Sequence, residues 1–200
     1  MTAVLDIGTG GGERLAKLRD DLPRMLVATE EWPTNAPIAR ERLAPLGVEV
    51  VHASDEVSPF EVNSFDLVIN RHSAFDPAEI ARILRPGGAL LTQQVGRADW
   101  QELAAHFPRL HDCGDLLGRY SSELRELGFN VTLHEFQQPV AYPSLGEFVY
   151  MLSVTTWLLA GFDVERDVDA LLALERDCLT DDGLMVTEDR YLLTARMPAY

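Results

Sequence analysis

The fold is decided by the stretch VLDIGTGGGE at residues 4–13. Its first residues are mostly apolar and predict a short strand, which runs directly into a glycine-rich turn and then a helix from Arg14. Glycine has no Cβ, so it permits both the left-handed conformations of such a turn and the close approach of a ligand to the backbone. The stretch therefore predicts a strand–turn–helix unit that binds a ligand at its glycines.

The rest of the chain extends this unit into a sheet. Short apolar runs alternate with helix-like segments to about Val131, which is typical of βαβ units that build a parallel sheet. The predicted strands are Ala3–Ile7, Met25–Thr29, Val48–His52, Phe65–Asn70, Ala89–Val95, Asn130–Gln137 and Val186–Met197. With 200 residues and 46% hydrophobic content, the chain is long enough for one sizeable core. We predict one α/β domain over residues 1–200.

Residues 144–179 differ from this alternation. Ser144 and Glu147 form a capping box, and apolar residues then recur at helical spacing on both sides of Gly161. On the second helix, the apolar stripe consists of Val164, Val168, Leu171 and Leu172. The pattern predicts a helical insertion, two helices joined by a tight turn, between the sixth and seventh strands.

Acidic residues near the turn restrict its ligand. Glu13 stands where a dinucleotide-binding turn has Gly or Ala, and Asp6 would repel a diphosphate. The Asp6 carboxylate suits instead the α-ammonium group of a methionine moiety. Glu30, at the end of the second strand, is placed to accept both hydroxyls of a ribose. These charges favour S-adenosylmethionine over a nicotinamide dinucleotide.

Through these residues the chain resembles the class I S-adenosylmethionine-dependent methyltransferases of the small-molecule type, in register over about the first 95 residues. The family's Asp-x-Gly-x-Gly-x-Gly turn matches Asp6, Gly8, Gly10 and Gly12. Glu30 matches the family's ribose-binding acid, and residues 53–60 resemble the segment that contacts adenine. Residues 65–70 resemble the fourth strand, and residues 84–88 resemble the turn into the fifth.

The resemblance implies a Rossmann-like, doubly wound sheet of seven strands in the order 3-2-1-4-5-7-6, with the last strand antiparallel. It places the cofactor over the carboxyl ends of strands one to four, in agreement with the general rule for open α/β sheets. It also implies methyl transfer. Because a sulfonium methyl is already a strong electrophile, such a protein mainly has to align the acceptor and exclude water.

The turn and the resemblance together predict the cofactor-binding residues Asp6, Gly8, Thr9, Gly10, Gly12, Glu30, Trp32, Ser54, Asp55 and Asn70. The family's adenine-contacting acid falls at Ser54 or Asp55, and Asn70 is expected to hold the methionine end. Trp32 lies against the adenine face or packs at the start of the next helix, and the sequence does not choose between the two.

Residues beyond the fourth and fifth strands are the candidates for catalysis and substrate binding. His72 is suited to take a proton near neutral pH, although it is equally able to hydrogen-bond the backbone or line the pocket. Gln94 and Arg97 leave the fifth strand, where they orient a polar substrate or satisfy loop backbone. Tyr150 and Trp157 lie on the predicted insertion and either face its core or form a wall of the substrate pocket.

The position of the turn within the first residues raises the question of what covers the cofactor. Members of the family usually carry helices before the first strand, which cover cofactor and substrate. We expect the insertion at residues 144–179 to act as the lid, with a homodimer as a further means of closure. The alternative is a natural start upstream of this sequence.

Charge and composition limit the partners. Seventeen basic and 32 acidic side chains give a formal net charge of -15, which disfavours RNA, DNA and anionic membranes. Cys113 and Cys178 have no Cys or His neighbours at metal-ligand spacing, so no metal site is expected. We expect a soluble, cytoplasmic protein with reduced thiols.

The function favoured by these features is methyl transfer to a small molecule. A protein that binds S-adenosylmethionine without methyl transfer, either regulatory or cyclase-like, is the alternative. An RNA methyltransferase is disfavoured by the acidic charge and the lack of a basic, aromatic-interleaved stretch.

Overall fold

A computed structural model describes residues 2–54, 58–112 and 114–199. The strands are β1 Ala3–Ile7, β2 Met25–Glu30, β3 Glu49–His52, β4 Phe65–Arg71, β5 Leu84–Val95, β6 Asn130–Tyr142, β7 Leu179–Thr180 and β8 Gly183–Arg196. The α-helices are α1 Glu13–Leu18, α2 Asn35–Leu43, α3 Pro77–Ile83, α4 Leu116–Glu126, α5 Leu145–Val154 and α6 Val164–Cys178.

The sheet has the order β3-β2-β1-β4-β5-β8-β6, and the short β7 pairs with β8 in a hairpin. Strands β1 to β5 pair in parallel. Met197 N donates to Gly88 O and Gly96 N donates to Asp189 O, so residue numbers run in opposite directions on β5 and β8. The predicted fold class, strand order and antiparallel last strand are confirmed. The two-residue strand β7 was not predicted, and it moves the last strand from seventh to eighth place.

The chain divides into two compact units. The first unit comprises Met1–Gln94, Leu117–His134 and Tyr191–Tyr200, and the second comprises Val95–Leu116 and Glu135–Arg190. The prediction of one domain over residues 1–200 with a lid at 144–179 stays a prediction.

The core of the first unit joins the parallel strands to α1 and α2. Val4 and Ala28 are fully buried on adjacent strands, as expected for a parallel sheet covered by helices. Leu15 of α1 and Leu43 of α2 pack on them in the same cluster. This packing fixes the start of α1, and with it the glycine turn, against the sheet.

The core of the second unit is formed by α5, α6 and the segment after β5. Helix α5 begins at Leu145 because the Ser144 hydroxyl accepts a hydrogen bond from Glu147 N at 3.2 Å. Helix α6 begins at Val164, where Asp163 accepts from Arg166 N at 2.9 Å. Both predicted helices are present. The turn between them is longer than predicted, since α5 already ends at Val154.

The apolar stripe predicted on α6 is buried only at Leu171. The exposed face carries Val164, Val168 and Leu172, and the buried face carries Asp167, Leu171 and Leu174. Apolar residues on α6 fall in two neighbouring rows, so periodicity alone does not decide which row faces the core. Within the described residues, no helix is both long enough and apolar enough to cross a membrane.

Candidate functional site

The glycine turn follows β1, and three of its residues have left-handed backbone conformations. The φ angles are 71° at Gly8, 63° at Gly10 and 81° at Gly12, as predicted for such a turn. A Cβ on Gly12 would lie 2.9 Å from the Leu43 side chain, whereas a Cβ on Gly10 would meet no atom within 4 Å. Gly12 therefore lets the turn pack on α2, and Gly10 leaves open space beside the backbone.

Glu30 holds the turn from the end of β2. Its side chain is only 3% exposed. One carboxylate oxygen accepts from Gly10 N at 2.6 Å, and the other accepts from Trp32 N at 2.9 Å. Because each carboxylate oxygen has further acceptor capacity, these bonds leave Glu30 able to accept from ribose hydroxyls. Its predicted ribose role stays a prediction.

An arginine that the sequence did not single out also contacts the turn. Arg42 of α2 forms an ion pair with Glu13 at 2.5 Å and donates to the Gly11 carbonyl. The charge of Glu13 is therefore countered, and the electrostatic argument against a diphosphate rests mainly on Asp6. No spacing rule connects α2 to the turn, so the sequence carried no signal for this contact.

Asn70, the residue before the last of β4, lies in a buried polar cluster with two residues of β5. Asn70, Thr92 and Gln94 are 3%, 0% and 8% exposed. The Asn70 carbonyl oxygen accepts from Thr92 Oγ1 at 2.8 Å and from Gln94 Nε2 at 2.6 Å. With that oxygen occupied, Asn70 presents its amide nitrogen, which donates weakly to Ile7 O at 3.4 Å. Gln94 thus supports Asn70, and its predicted contact with substrate stays a prediction.

A cavity of about 290 Å³ in the first unit brings four of the predicted cofactor residues together. They are Asp6, Gly8, Thr9 and Asn70, and the other lining residues are Arg14, Leu15, Leu18, Ile69, Arg71, Leu91, Gln93 and Leu192. The buried Thr9 hydroxyl has no hydrogen-bond partner among the described residues. A buried polar group in that state costs free energy unless a ligand or water satisfies it. The cavity is therefore a candidate ligand site.

His72 follows β4 in an unusual backbone conformation. Its φ is 59°, and its N–H donates to Gln93 O at 2.9 Å. Left-handed φ is uncommon for a residue other than glycine, and such strain is concentrated at functional sites. His72 is exposed. Its predicted role in proton transfer stays a prediction.

The predicted adenine-side residues lie around the end of β2 and beyond β3. Trp32 is 62% exposed, so its ring does not pack into a core at the start of α2. The backbone N–H of Trp32 donates to the Glu30 carboxylate, and an exposed ring is available to a planar ligand. Ser54 is partly buried after β3, and Asp55 lies outside the described residues.

The remaining substrate candidates belong to the second unit. Arg97 pairs with Asp112 at 2.7 Å, with both side chains largely exposed. Tyr150 and Trp157 are 66% and 63% exposed, so of the two alternatives the core-facing one does not hold, and their place in a substrate wall stays a prediction. Trp157 also lies beyond the end of α5. Among the described residues, no group of His, Cys, Asp and Glu side chains is arranged to hold a metal ion.

Comparison with known proteins adds a sequence match over part of the chain. Residues 5–92 match the family model described as "Methyltransferase domain". This range contains β1 from Leu5 onward, the glycine turn, Glu30 and Asn70. A search of curated proteins found no significant match.

Solved structures show the same fold over nearly the whole chain. The YcgJ protein from Bacillus subtilis has a TM-score of 0.73 at 18% identity, covering 100% of this chain and 93% of that one. A protein from Bacillus halodurans C-125 assigned as a methyltransferase has 0.72 at 19% identity, covering 98% and 93%. The (4+2)-cyclase SpnF has 0.63 at 19% identity, covering 100% and 76%. At these identities the likeness concerns the fold alone.

Proposed function

We propose that the chain is a class I S-adenosylmethionine-dependent methyltransferase that methylates a small molecule; its residues 5–92 match the methyltransferase-domain model. The observation that carries the proposal is the cavity of about 290 Å³, which holds Asp6 and Asn70 beside the glycine turn. A cavity of this size suits a compact ligand rather than a macromolecular surface. The formal charge of -15 also argues against nucleic acid and anionic membranes as partners.

The residues around the turn fit S-adenosylmethionine by their chemistry. Gly10 leaves open space, so a ligand reaches its backbone without a clash. Asp6 offers a carboxylate to an ammonium group, and Asn70 offers amide N–H donors to a carboxylate, because its oxygen is already occupied. Glu30 offers acceptor sites to ribose hydroxyls. We assign Trp32, Ser54 and Asp55 to the adenine side.

When bound, the cofactor supplies a sulfonium-linked methyl group, an electrophile that needs no further activation. Asp6, Asn70 and Glu30 then have the task of holding it in one orientation, a positioning effect that lowers the barrier by several kcal/mol. We assign His72 to receive, on an imidazole nitrogen, the proton that the acceptor releases as its bond to the methyl carbon forms. His72 directly follows β4 and has a left-handed backbone conformation (φ 59°), a kind of strain that is concentrated at functional sites.

Two measurements test this function in sequence. Calorimetry with S-adenosylmethionine measures binding, and a panel of small metabolites is then screened for formation of S-adenosylhomocysteine. Asp6→Asn removes the partner of the ammonium group and should weaken cofactor binding about tenfold. Asp20→Asn, an exposed acid outside the cavity, serves as the matched control.

The outcomes separate the candidate functions. Binding followed by S-adenosylhomocysteine formation with a metabolite supports the proposal. Tight binding without turnover on any metabolite favours a protein that uses the cofactor without methyl transfer, since one fold serves several activities. A protein that does not bind S-adenosylmethionine would contradict both.

A further inference from the structure

The cavity beside the glycine turn extends well beyond the residues assigned to the cofactor. Its other half lies between α1 and the sheet, within the first unit. Apolar side chains from α1, β4, β5 and β8 line it: Leu15, Leu18, Ile69, Leu91 and Leu192. Leu18 is 46% exposed and Leu91 is 37% exposed, so part of this apolar surface faces solvent. Covering such a surface with an apolar group removes it from water and is energetically favourable.

The same half of the cavity carries two arginines. Arg14 of α1 and Arg71 at the end of β4 are both exposed and line the cavity, where Asp6 is the one carboxylate among the lining residues. Arg14 makes no ion pair with any residue that the structure describes. Arg71 donates from Nε to Gln93 Oε1 at 3.2 Å, which orients its guanidinium. The cavity is therefore locally basic in a chain with a formal charge of -15.

Apolar walls with two guanidinium groups recognise a particular kind of molecule. Carboxylates and phosphates form charge-assisted hydrogen bonds with arginine, and an alkyl or aromatic body covers the leucines. We propose that the methyl acceptor is a small amphipathic anion whose acidic group binds Arg14 and Arg71. Its apolar body lies on Leu18, Ile69 and Leu91. This inference rests on the proposed function, because it assigns the acceptor to the cavity that begins at Asp6 and Asn70.

Four probes with the same chain length test the recognition. Octanoate and octyl phosphate carry an acidic group, octanol is neutral, and octyltrimethylammonium is cationic. Binding is measured by calorimetry on the full chain in the presence of saturating S-adenosylmethionine. We expect the two anions to bind at least about tenfold more tightly than the other two probes. The ratio between octanoate and octyl phosphate distinguishes a carboxylate acceptor from a phosphate acceptor.

Variants separate the contributions of charge and apolar contact. Arg14→Gln should weaken octanoate binding about threefold to tenfold and leave octanol binding unchanged, because an exposed guanidinium contributes a modest charge interaction. Arg14→Lys should restore part of the loss. Leu91→Thr should weaken octanoate and octanol alike. Arg125→Gln, on α4 and outside the cavity lining, is the control and should change neither.

Each result supports or overturns the inference. Equal affinities for octanoate and octanol, or no effect of Arg14→Gln, would overturn it. If none of the four probes binds, the inference is also overturned. If S-adenosylmethionine still binds with normal affinity in that case, the proposed function is unaffected. Sedimentation analysis tests whether a second copy of the chain covers this surface instead. If the chain is a dimer that dissociates in Leu91→Thr, and no probe binds, the surface is a dimer interface.

Discussion

Glu30 and Asp167 are both buried carboxylates, 3% and 5% exposed, one in each compact unit. Asp167 is surrounded by cations: Arg109 donates to its Oδ2, Arg166 donates to both oxygens at 3.1 and 3.2 Å, and Asp163 N donates at 3.1 Å. Glu30 is held by two backbone N–H groups, those of Gly10 and Trp32. The desolvation of Asp167 is therefore offset mainly by arginine side chains, and that of Glu30 by backbone N–H groups.

The difference separates an acid that serves the fold from one that remains available to a ligand. Hydrogen bonds from Arg166, with those from Arg109 and Asp163 N, hold the pKa of Asp167 well below its usual range against the opposing effect of burial. That carboxylate has its charge countered inside the protein. Among the described residues no cation pairs with Glu30: its donors are the backbone N–H groups of Gly10 in the glycine turn and of Trp32 just after β2, so its carboxylate keeps acceptor capacity for the ribose expected there.

The largest effect is expected at the ion-paired acid. Asp167→Asn leaves Arg109 and Arg166 without their carboxylate, and it should lower the free energy of unfolding by about 2 kcal/mol. This figure lies below the range for fully buried pairs because the arginine side chains are 39% and 54% exposed. Urea denaturation followed by circular dichroism measures the change.

Asp169→Asn is the control for this substitution, because Asp169 is an exposed acid on the same helix. It should change the stability by less than about 0.5 kcal/mol. Equal losses of stability in the two variants would mean that the ion pairs of Asp167 with Arg109 and Arg166 do not stabilise the second unit.

The next effect is expected on ligand binding. Glu30→Gln keeps the size of the side chain but removes its charge, so affinity for S-adenosylmethionine should fall about tenfold. The loss of stability should be smaller than for Asp167→Asn, since the amide oxygen can still accept from Gly10 N. Glu31→Gln, at the adjacent exposed acid, is the control. Unchanged affinity in Glu30→Gln would make Glu30 a structural acid like Asp167.

The two acids also differ in how far the sequence predicted them. Glu30 was identified because it ends a strand that follows a glycine turn, and such positions are defined by short, regular spacing along the chain. The bonds from Gly10 N and Trp32 N to Glu30 depend on turn conformation, which spacing does not specify. The alternation of strands and helices predicted a parallel α/β sheet, because it permits few topologies, whereas the strand order itself was what the family resemblance implied.

Asp167 was not predicted at all, and its helix shows why. The apolar stripe read from the sequence consists of Val164, Val168, Leu171 and Leu172, of which Leu171 is buried and the other three are exposed. Asp167 lies on the buried face, where Arg109, 58 positions away in the chain, donates to its carboxylate. Contacts between distant segments decide which of two apolar rows is buried, and no local pattern reports them. For the same reason the sequence left two positions open for Tyr150 and Trp157, the core of the insertion or a wall of the substrate pocket.

Acidification offers a test with a definite sign. The folded-state pKa of Asp167 is lowered, so its contribution to stability is present above the ordinary value of 3.8 and is lost as pH falls toward the folded-state pKa. The stability difference between the wild-type chain and Asp167→Asn should therefore narrow between about pH 5 and pH 2. Denaturation midpoints measured across this range check the trend. A difference that widens on acidification would contradict the ion pairing of Asp167.

The smallest effect is expected at the exposed ion pair of the turn. Arg42 and Glu13 have side chains that are 37% and 58% exposed, so water screens their attraction. Arg42→Gln should lower the free energy of unfolding by only about 0.5 kcal/mol, because exposed pairs are worth little and the amide can still donate to the Gly11 carbonyl. Arg42→Lys keeps the charge and should recover part of that loss. The measurement is again urea denaturation, with cofactor affinity recorded in parallel. A loss of stability as large as that of Asp167→Asn would contradict this expectation. It would mean that the ion pair between Arg42 and Glu13, rather than the hydrogen bond from Gly10 N to Glu30, mainly stabilises the turn.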